Sequence, residues 1–160
     1  MPQAPELSLE GIVQFAIRIE EESKAFYEEA LKIQLARDPA EPDHQVVDLL
    51  SRLVKDEIGH RQRLMDRYKV LPAPAGEFED AALSEAIERI VKVSELQMGA
   101  DAVDILATAY SREIATRDLY TTLLALSQLA DLYELFEELA KQEQGHANRI
   151  QALLNRLTGA

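Results

Sequence analysis

A helix that joins a bundle needs an apolar stripe at its a and d positions, and two such stripes in this chain carry the same polar interruption. One runs Val46, Leu50, Leu53, Glu57, His60, Leu64; the other runs Leu132, Phe136, Leu139, Glu143, His146, Ile150, Leu153. Each replaces two apolar residues with a Glu and, three positions on, a His, which sets both side chains on one helix face a turn apart. The surrounding segments are copies: Val54–Leu64 and Ala140–Ile150 share Lys, Glu, Gly, His and Arg at five of eleven positions. A carboxylate and an imidazole are thus predicted inside an apolar core, twice.

A third Glu-x-x-His, Glu41 and His44, serves as a control. It contains Pro42, its His stands between Asp43 and Gln45, and it falls off the a/d register of its helix. Pro is tolerated in a first turn, so this pair is expected at an exposed helix start and in water.

The rest of the chain brings the two copies together. Its 160 residues contain no Gly- or Ser-rich linker, which fits a single domain over residues 1–160. Ala, Leu, Glu, Lys, Arg and Gln dominate and β-branched runs are absent, so the fold is expected to be all-α. After a disordered lead-in over residues 1–7, Ser8 caps a helix over about 8–35. Its buried face is Ile12, Val13, Phe15, Ala16, Ile19, Ser23, Phe26, Tyr27, Ala30 and Leu31. Glu20 falls within that face, whereas Glu21 and Glu22 point outward. The Asp38–Pro42 stretch breaks the helix and turns a second one, about 43–70, antiparallel to it.

Pro72, Pro74 and Gly76 end the second helix. Residues 71–100 contain an amphipathic segment, Asp80 to Met98, with Leu83, Ile87, Ile90, Val91 and Leu96 on one side. A bundle helix is about 40 Å long. Thirty partly helical residues can span it and return the chain to the starting end of helix two. A third helix, about 101–126, has Leu106, Ala109, Glu113, Thr116, Tyr120 and Leu123 in its seam; a fourth covers about 132–157, with Asp131 and Glu134 as a capping pair. Ala16, Glu20 and Tyr27 recur at the same relative places as Ala109, Glu113 and Tyr120. The prediction is a duplicated helical hairpin, an antiparallel four-helix bundle with a long crossover between helices two and three.

Glu20, Glu57, His60, Glu113, Glu143 and His146 then meet in one layer, and no Lys or Arg occupies these seam positions. Four uncompensated buried carboxylates, at several kcal/mol each, exceed the roughly 5–15 kcal/mol by which a domain is stable. Two divalent cations neutralise them, and six side chains provide a terminal Glu and His for each ion plus two bridging carboxylates. Oxygen-rich donors with imidazole suit iron or manganese better than structural zinc. The alternative is a metal-free core with protonated or His-paired carboxyls. Tyr27 and Tyr120, seven residues after Glu20 and Glu113, either donate to ligand carboxylates or pack as ordinary aromatics. Gly59 and Gly145 each cost about 1 kcal/mol in a helix interior. Their recurrence points to a close approach near the His residues, or to inherited duplication.

The net charge of −12 opposes nucleic acid or an anionic membrane as partner. With no cysteine, the chain has no disulfide, thiolate catalysis, iron–sulfur cluster or Cys-based zinc site. The first residues have no basic and apolar leader pattern, which makes the cytoplasm the default expectation.

One Glu, Glu-x-x-His, a crossover, one Glu and a second Glu-x-x-His resemble the carboxylate-bridged dimetal pattern of the ferritin-like superfamily. Within it, Ala-x-x-x-Glu followed by Phe26-Tyr27, and Asp56-Glu57-x-x-His60, are similar to stand-alone rubrerythrin-like proteins, over about residues 8–157. The resemblance implies two iron ions, with manganese or zinc as other occupants, held by Glu20, Glu57, His60, Glu113, Glu143 and His146. It also implies reduction of peroxide or dioxygen, in defence against oxidative stress, by an oxidoreductase that is a homodimer or larger homo-oligomer. Two departures stand out. Thr116 occupies the place of an additional rubrerythrin carboxylate, and without a Cys-rich rubredoxin module the electrons must come from another protein. Bacterioferritins share both Glu-x-x-His pairs, but Ile58 stands where their haem-ligating Met would be, so no haem is expected. A ferroxidase feeding iron storage and a metal-stabilised structural bundle are the alternatives.

Overall fold

The computed structural model describes residues 8–37, 40, 43–74, 81–126 and 130–160. Among the described residues five helices form: α1 (Leu9–Arg37), α2 (His44–Tyr68), α3 (Ala81–Val93), α4 (Ala102–Leu126) and α5 (Ala130–Thr158). The described residues contain no strand. The expected lead-in over 1–7, the break at Asp38, Pro39, Glu41 and Pro42, and the positions of Gly76 and Asp80 lie outside the described residues.

Local chemistry sets the helix ends. Ser8 Oγ accepts from Gly11 N at 3.0 Å and starts α1. Asp43 caps α2 by accepting from the Gln45 and Val46 amides, leaving His44 exposed in the first turn as the sequence predicts. The last turn of α2 closes on Lys69 in the left-handed conformation, φ 54°, three residues before Pro72. Asp101 accepts from Asp104 N at 2.8 Å and so caps α4. The expected pairing of Asp131 with Glu134 does not form a cap: Asp131 already lies inside α5, and Glu134 faces Arg67 on α2 at 3.7 Å.

The helices pair as two hairpins, α1 with α2 and α4 with α5. Their contacts divide the core into two apolar clusters. One holds Val13, Ile19, Leu64, Tyr120, Phe136 and Leu139; the other holds Phe26, Ala30, Val46, Leu53, Leu106, Ala109 and Ile150. Each bundle helix contributes its N-terminal half to one cluster and its C-terminal half to the other. The order of the halves makes α2 antiparallel to α1 and α5 antiparallel to α4. It also leaves the end of α2 and the start of α4 at opposite ends of the bundle, so the chain has to cross.

The crossover does this on the bundle's own surface. At one end Gln14 and Arg18 donate to the carbonyls of Leu71 and Pro74; at the other Arg37 donates to the carbonyl of Gly99. Leu83 and Ile90 of α3 are buried in the first cluster, and Leu96 packs against the second. Val91 departs from the expected apolar face and is 44% exposed, pointing away from the bundle. The sequence expectation is met in substance: an all-α, ferritin-like bundle with a helical crossover.

Between the two clusters lies the polar layer. Glu20 and Ser23 interrupt the α1 face, Glu57 and His60 that of α2, Glu113 and Thr116 that of α4, and Glu143 and His146 that of α5; all are buried.

Candidate metal centre

Every residue expected in the layer is there, and the layer is dry. Glu20 and Glu57 have no solvent exposure, Glu113 and Glu143 have 1%, and His60 and His146 have 6% and 2%. The groups converge into two sets whose donor atoms lie within 4.8 Å of one another: Glu20, Glu57, His60 and Glu143, and Glu57, Glu113, Glu143 and His146. Glu57 and Glu143 belong to both, Glu20 and His60 only to the first, and Glu113 and His146 only to the second. His60 Nδ1 lies 3.4 Å from Glu20 Oε2, His146 Nδ1 lies 3.2 Å from Glu57 Oε1, and the imidazoles stack at 5.6 Å between centroids.

A burial this complete normally leaves no polar atom without a partner. Here both oxygens of Glu57, both of Glu143, Oε2 of Glu20 and of Glu113, and Nδ1 of both histidines have no hydrogen-bond partner. Eight unpartnered donor atoms facing one another fit two cations. Without them the charges collide: burial, then Glu20 and Glu143, push the Glu57 carboxyl well above the ordinary carboxylate range. Burial and the adjacent Glu113 do the same to Glu143. Glu113 goes the other way: burial raises its pKa, but the adjacent Glu143 and His146 favour its charged form and hold it below the ordinary value. Burial opposes the charged form of His146, but Glu113 beside it holds its pKa above the ordinary value.

The two tyrosines bond crosswise. Tyr27 on α1 donates to Glu113 on α4, and Tyr120 on α4 donates to Glu20 on α1 at 3.5 Å. Each thus bonds a buried carboxylate of the other hairpin, while Tyr120 also stacks on Phe136. Burial, followed by the surrounding carboxylates, pushes both phenols well above their ordinary pKa, so they remain protonated donors.

Two residues of the site are not evident from the seam. Asp56 Oδ2 lies 3.3 Å from His146 Nε2 and accepts from Arg149 at 2.9 Å, fixing the ring so that Nδ1 faces the carboxylates. The Asp-Glu order at 56–57 is the only signal for it. Its counterpart in the second copy is Gln142, whose Oε1 is buried and unpartnered. Asp56→Asn is expected to weaken metal binding at the His146 position by about 10- to 100-fold, with the His60 position much less affected. A two-site zinc titration checks this.

The second is Arg112, 1% exposed, a buried cation outside the seam positions, which themselves carry no Lys or Arg. It sits beside the α4 seam, on the face turned to the crossover, and α4 has no well-defined polar face to reveal it. Thr116 Oγ1 donates back to the Arg112 carbonyl at 3.0 Å, so Thr116 is occupied within its own helix. The close approach expected at Gly59 and Gly145 is also corrected: a side chain at either position would meet nothing within 4 Å.

A long-crossover bundle with two Glu-x-x-His pairs meeting two further glutamates has the architecture of a ferritin-like bundle, and its polar layer has residues suited to a dinuclear metal centre. Residues 104–160 match the rubrerythrin family, a span that takes in nearly all of α4 and the whole of α5, with Glu113, Glu143 and His146. Compared with curated proteins and with solved structures, the chain has no significant match in either. No helix among the described residues is long and apolar enough to cross a membrane.

Proposed function

We propose that this is a non-haem di-iron redox protein that reduces hydrogen peroxide by two electrons. The observation that carries the reading is the pair of four-residue sets sharing Glu57 and Glu143, with their donor atoms buried and unpartnered. Four carboxylates and two imidazoles favour iron or manganese, and the rubrerythrin match over residues 104–160 favours iron and peroxide. Two iron ions held by Glu20, Glu57, His60, Glu113, Glu143 and His146 would supply the two electrons which, with two protons, convert one hydrogen peroxide into two waters.

The protein's part is to hold and shield. Glu57 and Glu143 keep the two positions together, Glu20 with His60 and Glu113 with His146 complete them, and Tyr27 and Tyr120 fix the terminal carboxylates. The apolar clusters above and below exclude bulk water. A surface cavity of about 370 Å³ between α2 and α5, lined by His60, Leu64, Asp66, Arg67, Glu138 and Gln142, offers a small oxidant a way to the His60 side. These 160 residues contain no cysteine for a rubredoxin-type site, so we propose that electrons return from a donor outside them and that the chain works as a homodimer or larger homo-oligomer.

The test is single-turnover oxidation of anaerobic, ferrous-loaded protein, mixed separately with peroxide and with dioxygen and followed by the rise of diferric absorbance. Peroxide is expected to react at least tenfold faster. Equal or faster reaction with dioxygen, with iron then released and the positions refilled, would overturn the peroxidase reading in favour of a ferroxidase serving iron storage.

A further inference from the structure

The proposed chemistry makes no use of Arg112, yet burying a guanidinium is costly unless something offsets its charge. Its Nη1 donates to Ser94 Oγ at 2.7 Å and its Nη2 to Ser23 Oγ at 2.8 Å; Nε has no partner. The guanidinium lies 5.4 Å from the centre of the Phe26 ring. Both hydroxyls are neutral, and among the described residues no carboxylate is within ion-pair reach of it. A buried cation held by two serines and a ring must be balanced from further away. The anions available are those of the metal layer: Ser23, which accepts from Arg112 Nη2, is one turn after Glu20 in that layer, and Arg112 immediately precedes Glu113.

We propose that Arg112 is a fixed counter-cation of the metal centre, a positioning residue that supports the metal-free bundle and weakens divalent-metal binding. Four carboxylates carry four negative charges, and Arg112 leaves three for the metals to neutralise. Two divalent ions therefore overcompensate the layer by one charge, where they would otherwise balance it. The same charge favours the ferrous over the ferric state of bound iron. Because Ser94 follows α3, the crossover is what holds the guanidinium in place.

This inference rests on the layer being a metal centre, and the experiment separates the two. Zinc dissociation constants are measured by titrating metal-free parent protein, Arg112→Met and Ser94→Ala, and melting temperatures are taken with and without zinc. If the parent chain binds no zinc, the metal-centre reading fails and this inference with it. If it binds, Arg112→Met is expected to bind zinc tenfold tighter or more, since a unit charge near a dication is worth at least that at an effective dielectric constant of about 20. Its metal-free form should melt lower, so the rise in melting temperature on loading is larger. Ser94→Ala, which keeps the charge, should stay within about threefold of the parent. Unchanged or weaker binding by Arg112→Met overturns the proposal. If metal-free Arg112→Met does not fold, Arg112→Lys decides: a folded metal-free chain supports the charge, and an unfolded one overturns it in favour of a hydrogen-bond clasp.

Discussion

Glu57→Gln and Glu143→Gln are expected to lose the ability to hold two metal ions and, metal-free, to melt at a higher temperature than the parent chain. The two effects share one cause. Each residue lies in both donor sets, so its loss removes an oxygen from both positions, whereas Glu20→Gln or Glu113→Gln removes one from a single position. Each is also a buried carboxylate crowded by others, with no hydrogen-bond partner on either oxygen. Glutamine has nearly the same volume, so no cavity cost is added, and it removes a charge whose burial is expensive. A gain of about 1–3 kcal/mol in the metal-free form corresponds to roughly 2–10 °C in a chain of this size. Metal analysis after saturation and dialysis, with circular dichroism melts of the stripped proteins, reads both. Two ions per chain in both variants would sink the bridging assignment; lower metal-free melting temperatures would sink the account of why the layer needs cations.

Most of this site was legible before the fold because bundle helices turn sequence spacing directly into facing. Val46, Leu50, Leu53, Glu57, His60 and Leu64 are the buried residues of α2, as the heptad count predicts, and the α5 stripe is buried in full. Periodicity places a residue on its own helix face. It does not say which groups meet across the bundle. The crosswise bonds of Tyr27 to Glu113 and Tyr120 to Glu20 therefore needed coordinates, as did Asp56, which lies beside the α2 seam and reaches His146 from the neighbouring helix. Arg112 escaped for a different reason. The crossover covers the outer side of α4, so that helix is buried on more than its bundle face, and a charged residue off the seam is no longer a surface residue. Val91 is the converse case, an apolar residue at the edge of the predicted stripe that the crossover leaves in water. Gly59 and Gly145 show the limit of reading repeats as need: both recur, and neither is crowded.

Stripping the metal should also make stability fall as pH rises. In the metal-free chain the carboxyls of Glu57 and Glu143 lie well above the ordinary value of 4.5, so the folded state holds protons that the unfolded chain has released. A raised folded-state pKa means stability that is present below the unfolded value and lost as pH rises through the folded one. His146, raised from 6.5, acts in the same direction at higher pH. Glu113, lowered from 4.5, opposes them only in the acid range, where its contribution is lost as pH falls through its folded value. Above the ordinary carboxylate range the metal-free protein should therefore melt progressively lower from about pH 5 to about pH 8. In the loaded protein the ions take the place of those protons, so the fall should be small or absent and the stabilisation on metal binding should grow with pH. Binding should also release protons, more at pH 6 than a centre of ordinary carboxylates would, which calorimetry in buffers of different ionisation enthalpy measures directly. A metal-free melting temperature that holds level or climbs across this range would mean that the carboxylates are compensated by the protein alone, and the chemical case for two cations in the layer would be lost.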